Sequence, residues 1–355
     1  MPDHPAPTYS VPSSALRLRL DHGALAGNWR ALDAMSAPSV CTGAAVKAEG
    51  YGLGATSVVP TLRDAGCCDW FVAHWSEVAA LLPLVPPASI AVLHGPLTEA
   101  DAAYARATGV RPVLNSLAQI ARWQAAGRGP CDLMIDTGIN RLGLELADLD
   151  HPSIAQLDIE CCHSHLASAD EDSPQNSTQL ERFAQARQRI AARRFSLANS
   201  AGIALGAPYH ADLTRPGLAL YGGIARPELV GRIAQVAWPE AAVIQVRSLA
   251  AGDTVGYNAT FTAPRAMRIG MVALGYADGY LRCWSGKGGF QWRGLDLPVL
   301  GRISMDMTAV DLTDAPTVSE GDWLSLAYDP VRAAAISGLS QYELFTLLGQ
   351  RFGRG

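Results

Sequence analysis

Between about residues 40 and 222, short apolar or β-branched runs alternate with longer segments in which apolar residues recur every three or four positions. Runs of the first kind suit buried strands and segments of the second kind suit amphipathic helices, so the alternation predicts repeated strand–helix units. Strands are expected at 40–48, 70–74, 89–94, 110–114, 132–136, 159–165, 195–199 and 213–221, with helices at 55–64, 77–82, 99–108, 117–126, 177–192 and 203–205 between them. Eight parallel strands with intervening helices close a (β/α)8 TIM barrel. Ahead of it, Leu16, Leu18 and Leu20 alternate with Arg17 and Arg19, the mark of a half-buried strand. Asp21 is placed to cap a helix through Leu25, Trp29 and Leu32 that closes the bottom of the barrel.

After Gly223 the texture changes. Apolar runs at 242–246, 268–273, 297–300, 307–312 and 323–327 are short and separated by glycine, proline and aspartate, which predicts a mostly β domain, with a final helix at 341–351. The expected division is residues 1–226 for the barrel and 227–355 for the second domain, with the strand near 15–21 packed against the latter.

Composition narrows the function classes. A charged content of 17% and a net charge of −5 leave no basic footprint for nucleic acid or an anionic membrane. The stretch at 78–92 is interrupted by Pro83, Pro86 and Pro87 and is too short to span a bilayer, and residues 1–14 do not read as a signal peptide. Seven cysteines, two pairs of them adjacent, suit reduced thiols rather than a disulfide framework or a metal site. A cytoplasmic protein is expected.

Lysine is scarce: of the 28 lysine and arginine residues only Lys47 and Lys287 are lysine. Lys47 ends the apolar run 40–46 and precedes the glycine-rich turn Gly50-Tyr51-Gly52-Leu53-Gly54. Arginine never deprotonates in proteins and forms no Schiff base, whereas a lysine in a low-dielectric site does both. An ordinary strand-end lysine in an arginine-biased chain is the alternative.

In a barrel of this kind function sits at the C-terminal ends of the strands. There the expected elements place Lys47 and Tyr51, Arg141, His165, Asn199 and Ser200, and Arg215 to Leu218. The loops after the last two strands are the usual phosphate grip, and Ser200 with the amides of Gly217 and Leu218 suits one. A phosphate there and a carbonyl-reactive lysine on the first strand together describe pyridoxal 5′-phosphate (PLP).

At these residues the chain resembles the alanine racemases. Ala45-Val46-Lys47-Ala48-Glu49-Gly50-Tyr51-Gly52 is similar to that family's PLP-lysine motif. Further motifs follow in order: Asp136-Thr137-Gly138-Ile139-Asn140-Arg141, His163-Ser164-His165, Asn199-Ser200, Arg215-Pro216-Gly217-Leu218, Val255-Gly256-Tyr257, Gly275-Tyr276-Ala277-Asp278-Gly279-Tyr280 and Gly301-Arg302-Ile303-Ser304-Met305-Asp306. The resemblance implies a homodimeric, PLP-dependent racemase of a small amino acid. It implies Lys47 as the base for the D-enantiomer and Tyr257, from the partner subunit, as the base for the L-enantiomer. A tyrosine titrates near pH 10, and the resemblance assigns His165 with Arg215 to the network that assists it. It also places Arg215 at the pyridine nitrogen, and Arg141 at the phenolic oxygen and the substrate carboxylate. Tyr51 and Ser200 fall to the phosphate, and Met305 and Asp306 to the substrate side from the partner.

Three positions depart from the family pattern. Met134 stands where many members carry a carbamylated lysine, so another group has to hold Arg141. Leu53 replaces a histidine, and Gln350 occupies a position that is tyrosine in some members, which opens serine as an alternative substrate. A PLP-dependent decarboxylase and a non-catalytic PLP-binding protein are more distant alternatives.

Overall fold

The structure is a computed structural model and describes residues 12–349 and 351–354. Seven strands, Ala44–Ala45, Trp70–Val72, Ile90–Val92, Arg111–Leu114, Pro130–Met134, Asp158–His163 and Arg194–Ser196, form one parallel sheet in chain order. An eighth, Leu213–Thr214, pairs in parallel with Cys41–Thr42, just before the first strand. Backbone bonds from Asp212 N to Phe195 O (3.0 Å) and from Arg215 N to Ala198 O (2.8 Å) join it to the seventh strand and complete the ring. The strand expected at 40–48 is regular only at Cys41–Thr42 and Ala44–Ala45, and from Gly43 on it bonds alternately to both neighbours, Gly43 and Ala45 to Thr214 and Pro216, Ala44 and Val46 to Asp69 and Phe71. A Cβ at Gly43 would lie 2.9 Å from Asp69 O, so the close approach of the two chains requires glycine.

Two expected elements end early. The segment 213–221 is a regular strand only at Leu213–Thr214: Pro216 accepts from Ala45 N at 2.9 Å but has no N–H to donate, and Leu218–Tyr221 is a 3-10 turn. The final helix is Gln341–Thr346 rather than 341–351. The chain then turns so that Gly353–Arg354 pairs beside Leu16–Leu20. Helix Pro330–Ser337, capped by Asp329, was not expected. Between the strands, helix Glu99–Thr108 is capped by Thr98 and stopped by Gly109, and Leu117–Ala125 is capped by Ser116.

The second sheet is antiparallel and closes on itself. Its longest strand, Ala237–Leu249, pairs with Trp323–Leu326 at one end and with Met267–Val272 at the other. The circuit continues through Thr308–Asp311, Leu295–Leu300 and Gly289–Trp292. Leu16–Leu20 adds to this sheet against Ala237–Leu249, burying Leu16 and Leu18. Asp21 accepts from Ala24 N at 2.8 Å and starts helix His22–Asp33, which buries Leu25, Trp29 and Leu32. Within that helix Asn28 donates to Leu220 O and Ala234 O and accepts from Ala234 N, pinning the passage between the two sheets. No helix among the described residues is long and apolar enough to cross a membrane.

Candidate active site

A cleft of about 810 Å³ opens at the C-terminal ends of the barrel strands. Lys47, Tyr51, Met134, Arg141, His165, Asn199, Ser200, Arg215, Gly217 and Leu218 all line it. Lys47 is not the last residue of a strand. It heads a tight turn in which Ala48, Glu49, Gly50 and Tyr51 have φ of 52°, 55°, 60° and 57°. The turn is left-handed, with Gly50 N bonded to Val46 O and Gly52 N to Ala48 O. Left-handed backbone costs about 1–2 kcal/mol at each non-glycine residue, so the turn needs outside support. Its effect is to present Lys47 to the cleft and to return Tyr51 to the barrel interior. Burial lowers the basicity of the Lys47 amine, and Arg141 and Arg215 add to that, while Glu77 opposes them.

The ring of Tyr51 stacks on Tyr221 with centroids 4.8 Å apart, and burial raises the Tyr51 hydroxyl's pKa. A Cβ at Gly217 would lie 2.1 Å from Tyr51 Oη, so only glycine fits beside that hydroxyl. Ser200 Oγ accepts from Gly217 N at 3.0 Å and Ala219 N at 3.2 Å. The amides aimed at Ser200 are therefore those of Gly217 and Ala219, and Leu218, expected to offer its amide to a phosphate, lines the cleft between them. Asn199 caps the short helix Ser200–Ala204 through Oδ1, which accepts from Gly202 N at 2.8 Å.

Arg215 is buried, and burial lowers its pKa to about 10, so it stays a cation. Its guanidinium donates to Ser164 O (2.5 Å), to His163 Nδ1 (3.3 Å) and to Ser196 Oγ. None of the described hydrogen bonds of Arg215 goes to His165, the partner expected from sequence. His165 is half-buried beside it, and burial, then Arg215, Arg141 and Lys47, lower its pKa to about 3, so it is neutral. Behind His163 lies Asp132, whose Oδ2 is 2.9 Å from His163 Nε2 and whose Oδ1 accepts from Arg111 Nε at 3.0 Å. Sequence reasoning gave no role to Asp132, His163 or Ser196. The available signal was Asp132 itself, a carboxylate within the otherwise apolar strand Pro130–Met134.

Asp136 orders the loop that carries Arg141. Its carboxylate accepts from the backbone N–H groups of Gly138 (2.7 Å), Asn140 (3.2 Å) and Arg141 (3.1 Å). The loop is thus fastened through its main chain, beside a Met134 side chain that offers no charge.

Three expected residues lie outside the cleft of their own chain. Tyr257 is 63% exposed and Met305 53% exposed, and neither lines the cleft. Asp306 bonds Arg351 Nη1 at 2.7 Å, and Arg351 also holds Asp278 at 2.6 Å. Gln350 and residues 1–11 lie outside the described residues. Leu53 is fully buried core.

The donor set fits PLP. A lysine amine of reduced basicity suits a carbonyl, and the Ser200 hydroxyl with the Gly217 amide and Tyr51 hydroxyl suits a phosphate. The absence of a side chain at Gly217 lets the Tyr51 hydroxyl sit against that backbone, beside Ser200.

Comparison with known proteins agrees with this geometry. Residues 20–225 match the family described as alanine racemase, N-terminal domain, and residues 236–355 match alanine racemase, C-terminal domain. An alanine racemase from Acidiphilium cryptum is 41% identical over 350 residues, covering 95% of this chain and 97% of that protein. One from Methylobacterium nodulans is 42% identical over 361 residues, covering 96% of each. The crystal structure of alanine racemase from Bartonella henselae with covalently bound pyridoxal phosphate superposes with a TM-score of 0.88 at 33% identity, over 96% of this chain and 99% of that one. With both halves matched and relatives aligned along nearly the full length, the chain belongs to the alanine racemase family.

Proposed function

We propose that this chain interconverts L- and D-alanine with PLP held on Lys47. The observation that carries this reading is the convergence in one cleft of the Lys47 amine, the Ser200–Gly217–Tyr51 cradle and the buried Arg215 cation. When bound, PLP supplies the electron sink that acidifies the proton on the substrate Cα. Ser200, Tyr51 and the Gly217 and Leu218 amides would hold its phosphate, Asn199 the wall beside it, and Arg215 its ring. Arg141 is assigned to the substrate carboxylate and the phenolic oxygen.

Racemisation takes a proton from one face of Cα and returns one to the other, so two groups must flank that carbon. Lys47 Nζ handles the proton of the D-enantiomer. Tyr257 Oη handles that of the L-enantiomer, and it comes from a second copy of the chain, because in its own chain it is exposed and away from the cleft. Met305 and Asp306 are assigned to the substrate side from that same copy, and His165 with Arg215 to assisting the tyrosine. The working division for this function is residues 1–226 as the cofactor unit and 227–355 as the unit that lends Tyr257. All seven cysteines are free thiols, four of them buried, which supports a reducing, cytoplasmic setting.

The test is loss of circular-dichroism signal when purified protein acts on L-alanine. Lys47→Ala is expected to lower kcat by about four orders of magnitude or more, since it removes both the cofactor link and one base. Racemisation at the wild-type rate by that variant would refute the assignment.

A further inference from the structure

Glu77 belongs to no motif singled out in the sequence, yet its carboxylate sits at the root of the Lys47 turn. Oε1 accepts from Ala48 N, the first residue after Lys47. Oε2 accepts from Ala73 N at 2.7 Å and His74 N at 2.9 Å, just past the end of strand Trp70–Val72. One side chain therefore satisfies three backbone donors and ties the turn that begins at Lys47 to the neighbouring strand. Ala48 to Tyr51 all lie in the left-handed region, so this tie falls where the backbone most needs support. The groups acting on the Lys47 amine are Arg141 and Arg215, both cationic, and Glu77; His165 and His94 also face Lys47, with His74 against His94 at 4.3 Å. Among the described residues, Glu77 is the one anion in that set.

We propose that Glu77 is the positioning residue of Lys47, fastening its left-handed turn to the neighbouring strand and supplying the one negative charge that acts on its amine. Without Glu77, burial and two guanidiniums act on the amine with nothing to offset them. The amine would then be a weaker base for the substrate Cα proton. The proposal rests on the assignment of Lys47 as a base, but its test does not require turnover.

The full-length chain has only two lysines, so lysine labelled with 13C at Cε gives two resonances, and Lys287→Arg assigns them. In the cofactor-free chain, Glu77→Gln is expected to move the Lys47 titration midpoint down by about 1 pH unit, in the range for losing a nearby opposite charge. Glu77→Asp, which keeps the charge but retracts it by one methylene, is expected to move the midpoint by less, in the same direction, and to speed hydrogen exchange at Ala48. In the holoenzyme, where the Lys47 amine is free only once substrate is bound, the kcat profile of Glu77→Gln should shift to lower pH in parallel. A Lys47 midpoint unchanged in folded Glu77→Gln overturns the proposal. Should that variant not fold, Glu77→Asp with both its midpoint and its Ala48 exchange at wild-type values overturns it. Failure of the racemase reading is seen separately, as racemisation surviving Lys47→Ala.

Discussion

Asp132, His163 and Arg215 form a buried hydrogen-bonded chain, a carboxylate and a guanidinium joined by an imidazole, in which bond direction settles every proton. A guanidinium only donates, so His163 Nδ1 accepts from Arg215 and Nε2 carries the hydrogen given to Asp132. Burial alone would raise the Asp132 pKa, but Arg111 and the His163 hydrogen bond outweigh it and hold the carboxyl at about 2. Burial lowers His163 to about 4 despite Asp132, so the imidazole is neutral at pH 7. The consequence is a stability that depends on pH. A histidine with a depressed folded pKa contributes its full stability above its unfolded value near 6.5, and that share is lost as pH falls toward 4. Between pH 7 and pH 5 the His163 share of the loss is about 2 kcal/mol. Denaturant unfolding at the two pH values should show a smaller difference for His163→Gln than for wild type; equal differences would contradict the assignment of a neutral, buried imidazole.

The short elements at the barrel's C-terminal end depend on backbone shapes that ordinary residues resist. Those shapes are the positive φ of Ala48 to Tyr51, and beside them Gly217 leaves the gap into which Tyr51 Oη fits. Gly217→Ala would put a methyl group 2.1 Å from that oxygen, which forces Tyr51 off its stack on Tyr221. Absorbance titration with PLP is expected to show half-saturation at a concentration at least about tenfold higher, equivalent to about 1.4 kcal/mol, with far-ultraviolet circular dichroism unchanged. Wild-type affinity in this variant would mean that the cradle is not where the phosphate binds. The same reasoning explains why the Lys47 turn is short: four left-handed residues in succession are tolerable only because hydrogen bonds close them from both sides.

At the level of the complete chain, the cleft holds Lys47 while Tyr257 faces outward on the turn of a separate two-stranded hairpin, Thr254–Val255 with Phe261–Thr262. A site shared across a twofold axis follows if both residues are needed, because each copy lacks what the other exposes. Co-expression of two inactive chains, Lys47→Ala and Tyr257→Phe, provides the check. Random pairing makes about half of the dimers mixed, and each mixed dimer has one site with both wild-type residues, so about a quarter of wild-type activity should return. No recovery in mixtures shown to contain heterodimers would place both bases in one chain.

Local chemistry was enough for part of this. Helix Glu99–Thr108 was legible because Thr98 and Gly109 are start and stop signals acting over a few residues, and the parallel strands because their apolar runs are short and flanked by polar turns. The ordered motifs around Lys47, Arg141, Ser200 and Arg215 identified which barrel-end residues line one cleft. Local pattern could not see where a regular strand stops: Pro216 still accepts from Ala45 N but has no N–H to give back, and Leu218–Tyr221 turns away from the path that the apolar run 213–221 suggested. Nor could it see that His163 and Ser196 meet Arg215, with Asp132 behind His163, because the three stand on neighbouring strands and reach Arg215 only once the ring has closed. Glu77 was invisible for the same reason: its partners are backbone N–H groups, which every sequence has and only a fold directs at one carboxylate.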